Sequence, residues 1–191
     1  MSEIIWKLRD DHKKFARLMD LIAREVRAFD AGEIPDYDLV CNILEYTQNY
    51  PDLYHHPLED LVLEKVRLRD PEAAENVGNL DREHEKLAGL TRRFAAALHN
   101  VIQDAELPRE WFIDIASDYL THQRRHMQME EVLFFPPALR SLTDEDWDEI
   151  KSKATVPDDP LFGEGSDREK YDRLHQEILK WGKPQDATAF A

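Results

Sequence analysis

Four apolar stripes, each carrying a histidine, constrain this chain more than any other feature. Ile5, Leu8, Phe15, Met19, Ile22 and Val26 recur every three or four residues, the spacing of one face of an α-helix. The same spacing governs Val40, Ile43, Thr47, Tyr54, Leu58, Val62 and Val66, and then Val77, Leu80, Leu87, Thr91, Phe94, Leu98 and Val101. A fourth set is Phe112, Ile115, Tyr119, Met129 and Leu133. His12, His55, His84 and His126 fall on these stripes rather than beside them. No period-two run is long enough for a strand. The pattern predicts an all-α fold, an up-down-up-down four-helix bundle with its histidines facing the core.

Local signals set the expected boundaries. The first helix ends near Asp30, before Ala31-Gly32-Glu33-Ile34-Pro35. The second runs from about Asp36 to Leu68 with Pro51 and Pro57 inside it, which predicts a kink near Asn49–His56. Asp70-Pro71 opens a third helix that ends near Asp104. Pro108 opens a fourth, and Pro136-Pro137 stops it. The bundle would thus occupy residues 1–137 and a helical C-terminal extension residues 138–191. In the extension, Thr143 with Asp146 reads as a capping box for a short helix carrying Trp147 and Ile150. A second capping signature at Ser166 opens a last helix with Tyr171, Leu174, Ile178 and Trp181 on one side. These aromatics are expected to pack on the bundle, on a second copy in a homodimer, or on a protein partner.

Composition narrows the partners. Asp plus Glu is 40 against 25 Lys plus Arg, a formal charge of −15 over 191 residues. Such a chain repels nucleic-acid phosphates and anionic lipid headgroups. With 42% hydrophobic residues it can still build a globular core. Cys41 is the only cysteine, which excludes an internal disulfide and a Cys-rich zinc or iron–sulfur site. No signal layout or membrane-spanning apolar run is visible, so a cytoplasmic location is expected.

Two of the stripe histidines have a carboxylate four residues later, in His55-x-x-x-Glu59 and His126-x-x-x-Glu130. That step places both groups on one face, one turn apart. A buried carboxylate without compensation costs several kcal/mol or changes its protonation. Two inward carboxylates and four or more inward imidazoles therefore need a common partner, and a pair of cations supplies it. Imidazole and carboxylate without thiolate suit iron, manganese or zinc. Two glutamates from facing helices are also placed to bridge two ions. One inward histidine alone is more often a hydrogen-bonded core residue, and one His-x-x-x-Glu pair is common on exposed helices. The weight lies in their joint occurrence. Read as a general acid/base couple, Glu59 and Glu130 would leave their histidine neighbours unexplained. The chain has no phosphate-binding glycine loop, no serine nucleophile elbow and no Cys–His nucleophile pair.

His12, the run His55-His56-Pro57-Leu58-Glu59-Asp60, His84, and the run from His126 through Glu130 to Pro136 together resemble the hemerythrin-like family of HHE cation-binding domains, over about residues 1–137. The resemblance implies a four-helix bundle holding two non-haem iron ions, bridged by carboxylates and by oxo or hydroxo groups, with zinc or manganese as possible substitutes. It implies Glu59 and Glu130 as bridges, and His12, His55, His84 and His126 as terminal ligands. It further implies binding or sensing of a small diatomic ligand or peroxide, or, alternatively, a redox enzyme or iron-donating repair protein. Oxygen-carrying members have a second ligand histidine four residues along the third helix. Here that position is Ala88. The His-x-x-x-His pair lies instead on the fourth helix, and His122 is open as a fifth ligand histidine, a supporting residue or a core histidine. His56 points about 100° away from His55 and is expected to be exposed or to support the ligands, although its three-residue spacing to Glu59 leaves another register open. His99 and His175 read as surface residues, and Tyr50, Tyr54 and Tyr119 as packing near the level of the centre.

Overall fold

The long first helix is amphipathic by arithmetic, and it forms as expected. In the computed structural model, which describes residues 2–103, 108–154, 159, 161, 171–172 and 174–176, α1 spans Glu3–Asp30. In the turn that follows, Gly32 takes the positive φ of 80° that the turn needs. α2 follows at Tyr37–Tyr50, with the Asp36 side chain accepting from the Leu39 N–H at its start.

The expected continuous second helix is in fact two α segments joined by a π turn. Pro51–His55 is the π turn, and α3 runs His56–Arg69. Pro57 explains the widening. It lacks the N–H that would bond the Leu53 carbonyl four residues earlier, and its ring crowds that carbonyl. A turn one residue wider moves the carbonyl aside, and the His56 N–H bonds back five residues to the Pro51 carbonyl.

The fourth helix repeats the device. α6 spans Arg109–Met129, a second π turn covers Glu130–Phe134, and α7 continues over Phe135–Ser141. Pro136-Pro137 therefore does not stop the rod, contrary to the sequence expectation. The prolines sit in the first turn of α7, where a missing N–H is tolerated. The carbonyls they would crowd belong to the widened turn.

The expected third helix is also divided. α4 is Pro71–Val77, capped by the Asp70 side chain, and α5 is Leu80–Ile102, capped by Asn79. Gly78 between them has φ 81° and ψ −145°, a conformation that only glycine adopts cheaply. Helical periodicity survives a two-residue break, so the stripe from Val77 to Leu80 conceals it.

α1 packs on α2 and α6, and α5 packs on the same two, which closes a ring of four rods. α8, Asp144–Lys153, begins with the Thr143–Asp146 capping box read from the sequence. It rests on α3, where Arg69 donates to both Asp146 carboxylate oxygens at 2.8 and 3.0 Å. The helix expected from Ser166 starts outside the described residues. Of its aromatics, Tyr171 is buried with Leu161 and Leu174 against the bundle.

Two apolar clusters fill the interior. One holds Phe15, Leu18, Ile22, Ile43, Tyr46, Phe94, Ile115 and Tyr119. The other holds Ile5, Leu8, Leu58, Val62, Leu80, Phe134 and Phe135. Each rod passes from one cluster to the other at its histidine. His12 lies between Leu8 and Phe15, His84 between Leu80 and Phe94, His126 before Phe134, and His55 before Leu58. The polar side chains thus form one layer between two dry ones. Gly78→Ala is expected to lower the unfolding free energy by roughly 1–3 kcal/mol, measurable by urea denaturation. Nothing lies within 4 Å of the added Cβ, so the loss would come from backbone strain.

Candidate metal centre

Within that layer Glu59 and Glu130 have no solvent exposure at all, and His12, His55, His56, His84 and His126 are buried around them. α1 supplies His12, the first π turn His55, α3 His56 and Glu59, α5 His84, α6 His126, and the second π turn Glu130. The donor atoms form two overlapping groups, His56–Glu59–His84–His126 and His12–His55–Glu59, each with its atoms within 4.8 Å of one another.

The glutamates divide their oxygens between these groups. Glu59 Oε1 lies 3.7 Å from His12 Nε2 and 3.3 Å from His55 Nε2, while Oε2 lies 3.5 Å from His84 Nε2. Glu130 Oε2 lies 3.3 Å from His12 Nε2, while Oε1 lies 3.1 Å from His126 Nε2 and 3.8 Å from His84 Nε2. Close as these atoms are, both oxygens of each glutamate and the Nε2 atoms of His12, His84 and His126 lack a hydrogen bond among the described residues. Buried polar atoms are seldom left so. Here they converge without bonding one another, as donors do around a cation about 2.0–2.2 Å from each. The residues therefore fit a metal site.

Charge follows the same logic. Burial opposes protonation of His12, but the facing carboxylates of Glu130, Glu131 and Glu59 outweigh it and push the pKa up to about 11. Burial likewise opposes charge on His84, and Glu130 and Glu59 raise it to about 10. For Glu130, burial and the charge of Glu59 favour the neutral acid, yet His126 and His12 hold it at about 2. Burial acts the same way on Glu59, and His55, His12 and His84 hold it well below the usual carboxylate range. Without metal, protons on His12, His55 and His84 balance the glutamates in place of cations.

The hemerythrin HHE cation-binding domain model matches residues 3–138. The chain belongs to this family. No curated protein and no solved structure matches it. Membership brings with it the binding of metal ions, and the match ends inside α7, past the last donor.

Of the residues singled out in the sequence, the HHE fold brings together His12, His55, Glu59, His84, His126 and Glu130. It does not bring in His122. That side chain is half-buried and its Nδ1 lies 2.8 Å from the Asp118 carbonyl. Four residues before His126, it lies about 6 Å up the helix from that residue, with its ring turned back on its own backbone.

For His56 the sequence left an exposed position, a supporting one and another register open, and the structure excludes the exposed one. His56 is buried, and its ring stacks on that of His84 with centroids 4.0 Å apart and an angle of 12°. His55 and His56 do diverge around the helix, but the centre has two halves and the pair straddles them. His55 faces the His12 side and His56 the His84 side. The signal was present in the spacing of His56 to Glu59, three residues apart on one helix face. His99 is exposed, whereas His175 is half-buried with Nδ1 3.1 Å from the Leu161 carbonyl. Among the tyrosines, Tyr50 accepts from Lys7 Nζ at 2.8 Å, and Tyr119 lies in the apolar core.

Two measurements follow. His56→Ala should lower the metal bound per chain while His122→Ala leaves it unchanged, read by elemental analysis of the folded proteins. The metal-free protein should also show a stability plateau between pH 4.5 and 6.5 in urea denaturation. Above it, the histidine contribution is lost as pH rises from the unfolded value of 6.5 through the folded values of about 10 and 11. Below it, the glutamate contribution is lost as pH falls from 4.5 through about 2 for Glu130.

Proposed function

We propose that this HHE domain holds two iron ions in an up-down-up-down bundle and uses them to bind or sense a small oxidant, namely oxygen, nitric oxide or peroxide. The observation that carries the reading is the division of oxygens. Glu59 and Glu130 each turn one oxygen to the His12 side and the other to the His84 side. A carboxylate used in this way bridges two cations, and a single ion would leave half of these atoms without a partner.

His12 and His55 would hold one ion, His56, His84 and His126 the other, and both glutamates would span the pair. Iron bound there would supply a reversible change of oxidation state and a coordination position open to a small ligand. The His12 side has two imidazoles where the other has three, which makes it the more open half. Its imidazoles, like the rest of the donors, are buried. Such burial favours a diatomic molecule or peroxide over a bulky substrate. An open groove of about 880 Å³ lies elsewhere, between α1 and α8, and contains none of the seven donors.

The test is anaerobic reconstitution with ferrous iron, metal counting, and an optical spectrum on exposure to air, peroxide and nitric oxide. Two irons per chain, with absorption bands that form and then disappear on re-reduction, are expected. Glu59→Ala and Glu130→Ala should each lose most of the iron. One ion per chain in the wild type, or two ions retained in both variants, would refute the bridged pair. Sustained consumption of the oxidant would assign the centre to catalysis instead of sensing.

A further inference from the structure

We propose that Asp11 and Glu131 are positioning residues that lock His55 and His12 with Nδ1 protonated and Nε2 turned to the metal, so that the half with fewer imidazoles retains its ion. The proposal rests on the two-ion reading above.

Each of these carboxylates is the sequence neighbour of a donor, yet each serves a donor on a different rod. Asp11 precedes His12 on α1, but its Oδ2 lies 3.3 Å from Nδ1 of His55 in the first π turn. Glu131 follows Glu130 in the second π turn, but its Oε1 lies 3.1 Å from Nδ1 of His12. The opposite nitrogens of the same two rings, Nε2, face Glu59 and Glu130. A carboxylate on Nδ1 fixes the proton there, leaves the Nε2 lone pair for a cation, and strengthens the imidazole as a donor.

The carboxylates are themselves anchored. Lys7 lies 3.2 Å and Lys14 3.6 Å from Asp11, and Arg9 donates to Glu131 Oε2 at 2.9 Å. A carboxylate held from behind by a cation cannot swing inward to become a ligand. Asp11 is 1% exposed, so its charge is stable only because the lysines and His55 surround it. Both braces fall on the His12–His55 half. At His84, Asp60 Oδ1 is 3.7 Å from Nδ1 and makes no hydrogen bond among the described residues. His126 Nδ1 has no hydrogen-bond partner among the described residues. Three imidazoles hold one ion, and two braced imidazoles hold the other.

The test uses the full chain loaded with zinc and labelled with nitrogen-15. In the wild type, the Nδ1 protons of His12 and His55 should be protected and visible. Asp11→Ala should lose that of His55, and Glu131→Ala that of His12. Each variant should release one of its two zinc ions to a chelator roughly 10–100-fold faster and the other at the wild-type rate. Asp11→Asn and Glu131→Gln, which keep an acceptor oxygen, should restore most of the retention. Unchanged Nδ1 protons and unchanged release in the Ala variants would overturn the proposal. Should Asp11→Ala fail to fold, Glu131→Ala decides, because Glu131 is half-exposed and lies outside both apolar clusters. A wild type with fewer than two ions would instead count against the two-ion reading, and the Nδ1 signals would still report on the braces.

Discussion

Two glutamates without solvent exposure, facing a set of buried imidazoles, are the constraint on which this structure depends. Neither can be charged in an apolar interior unless positive charge lies within a few ångströms. The fold meets that need by gathering the two glutamates and the five buried histidines into one layer, with an apolar cluster on either side. Breaking one donor would leave the others buried and unbalanced. The layer is therefore a single electrostatic unit, whether its positive charge comes from metal ions or from protons on histidine.

The prolines are part of this unit. Pro57 and the pair Pro136-Pro137 each follow a π turn, and each π turn contains a donor, His55 in one and Glu130 in the other. A widened turn changes which residues share a face. In the first case it joins α2 to α3 where two adjacent histidines enter the centre. In the second it starts at Glu130 and carries Glu131 towards α1. Sequence features that look like helix breakers here shape a binding site and leave the rods unbroken.

The overall acidity of the chain divides in the same way. Among the described residues, most acidic side chains lie at the surface, and the ion pairs some of them make there, such as Lys151–Glu3 and Lys153–Glu149, contribute little to stability. Asp11 and the two bridging candidates are buried, and each is surrounded by cationic or protonated partners. Acidity at the surface governs what the protein avoids. Acidity inside governs what it holds.

The sequence alone determined the helical character, most of the inward positions and most of the candidate donors; Leu133, expected inward, is exposed in the second π turn. Helical spacing is a local property, and His55–Glu59 and His126–Glu130 stand one turn apart whatever the rods do later. The Thr143 cap was legible for the same reason. The tertiary structure decided what local spacing cannot carry. It broke the third helix at Gly78, let the fourth continue past its prolines, turned His122 back on the Asp118 carbonyl, and brought His56 onto the ring of His84. It also paired Asp11 with His55 and Glu131 with His12, residues 44 and 119 positions apart. Those outcomes depend on where a second rod stands and on how wide one turn becomes, and neither is encoded in the period of a single stripe.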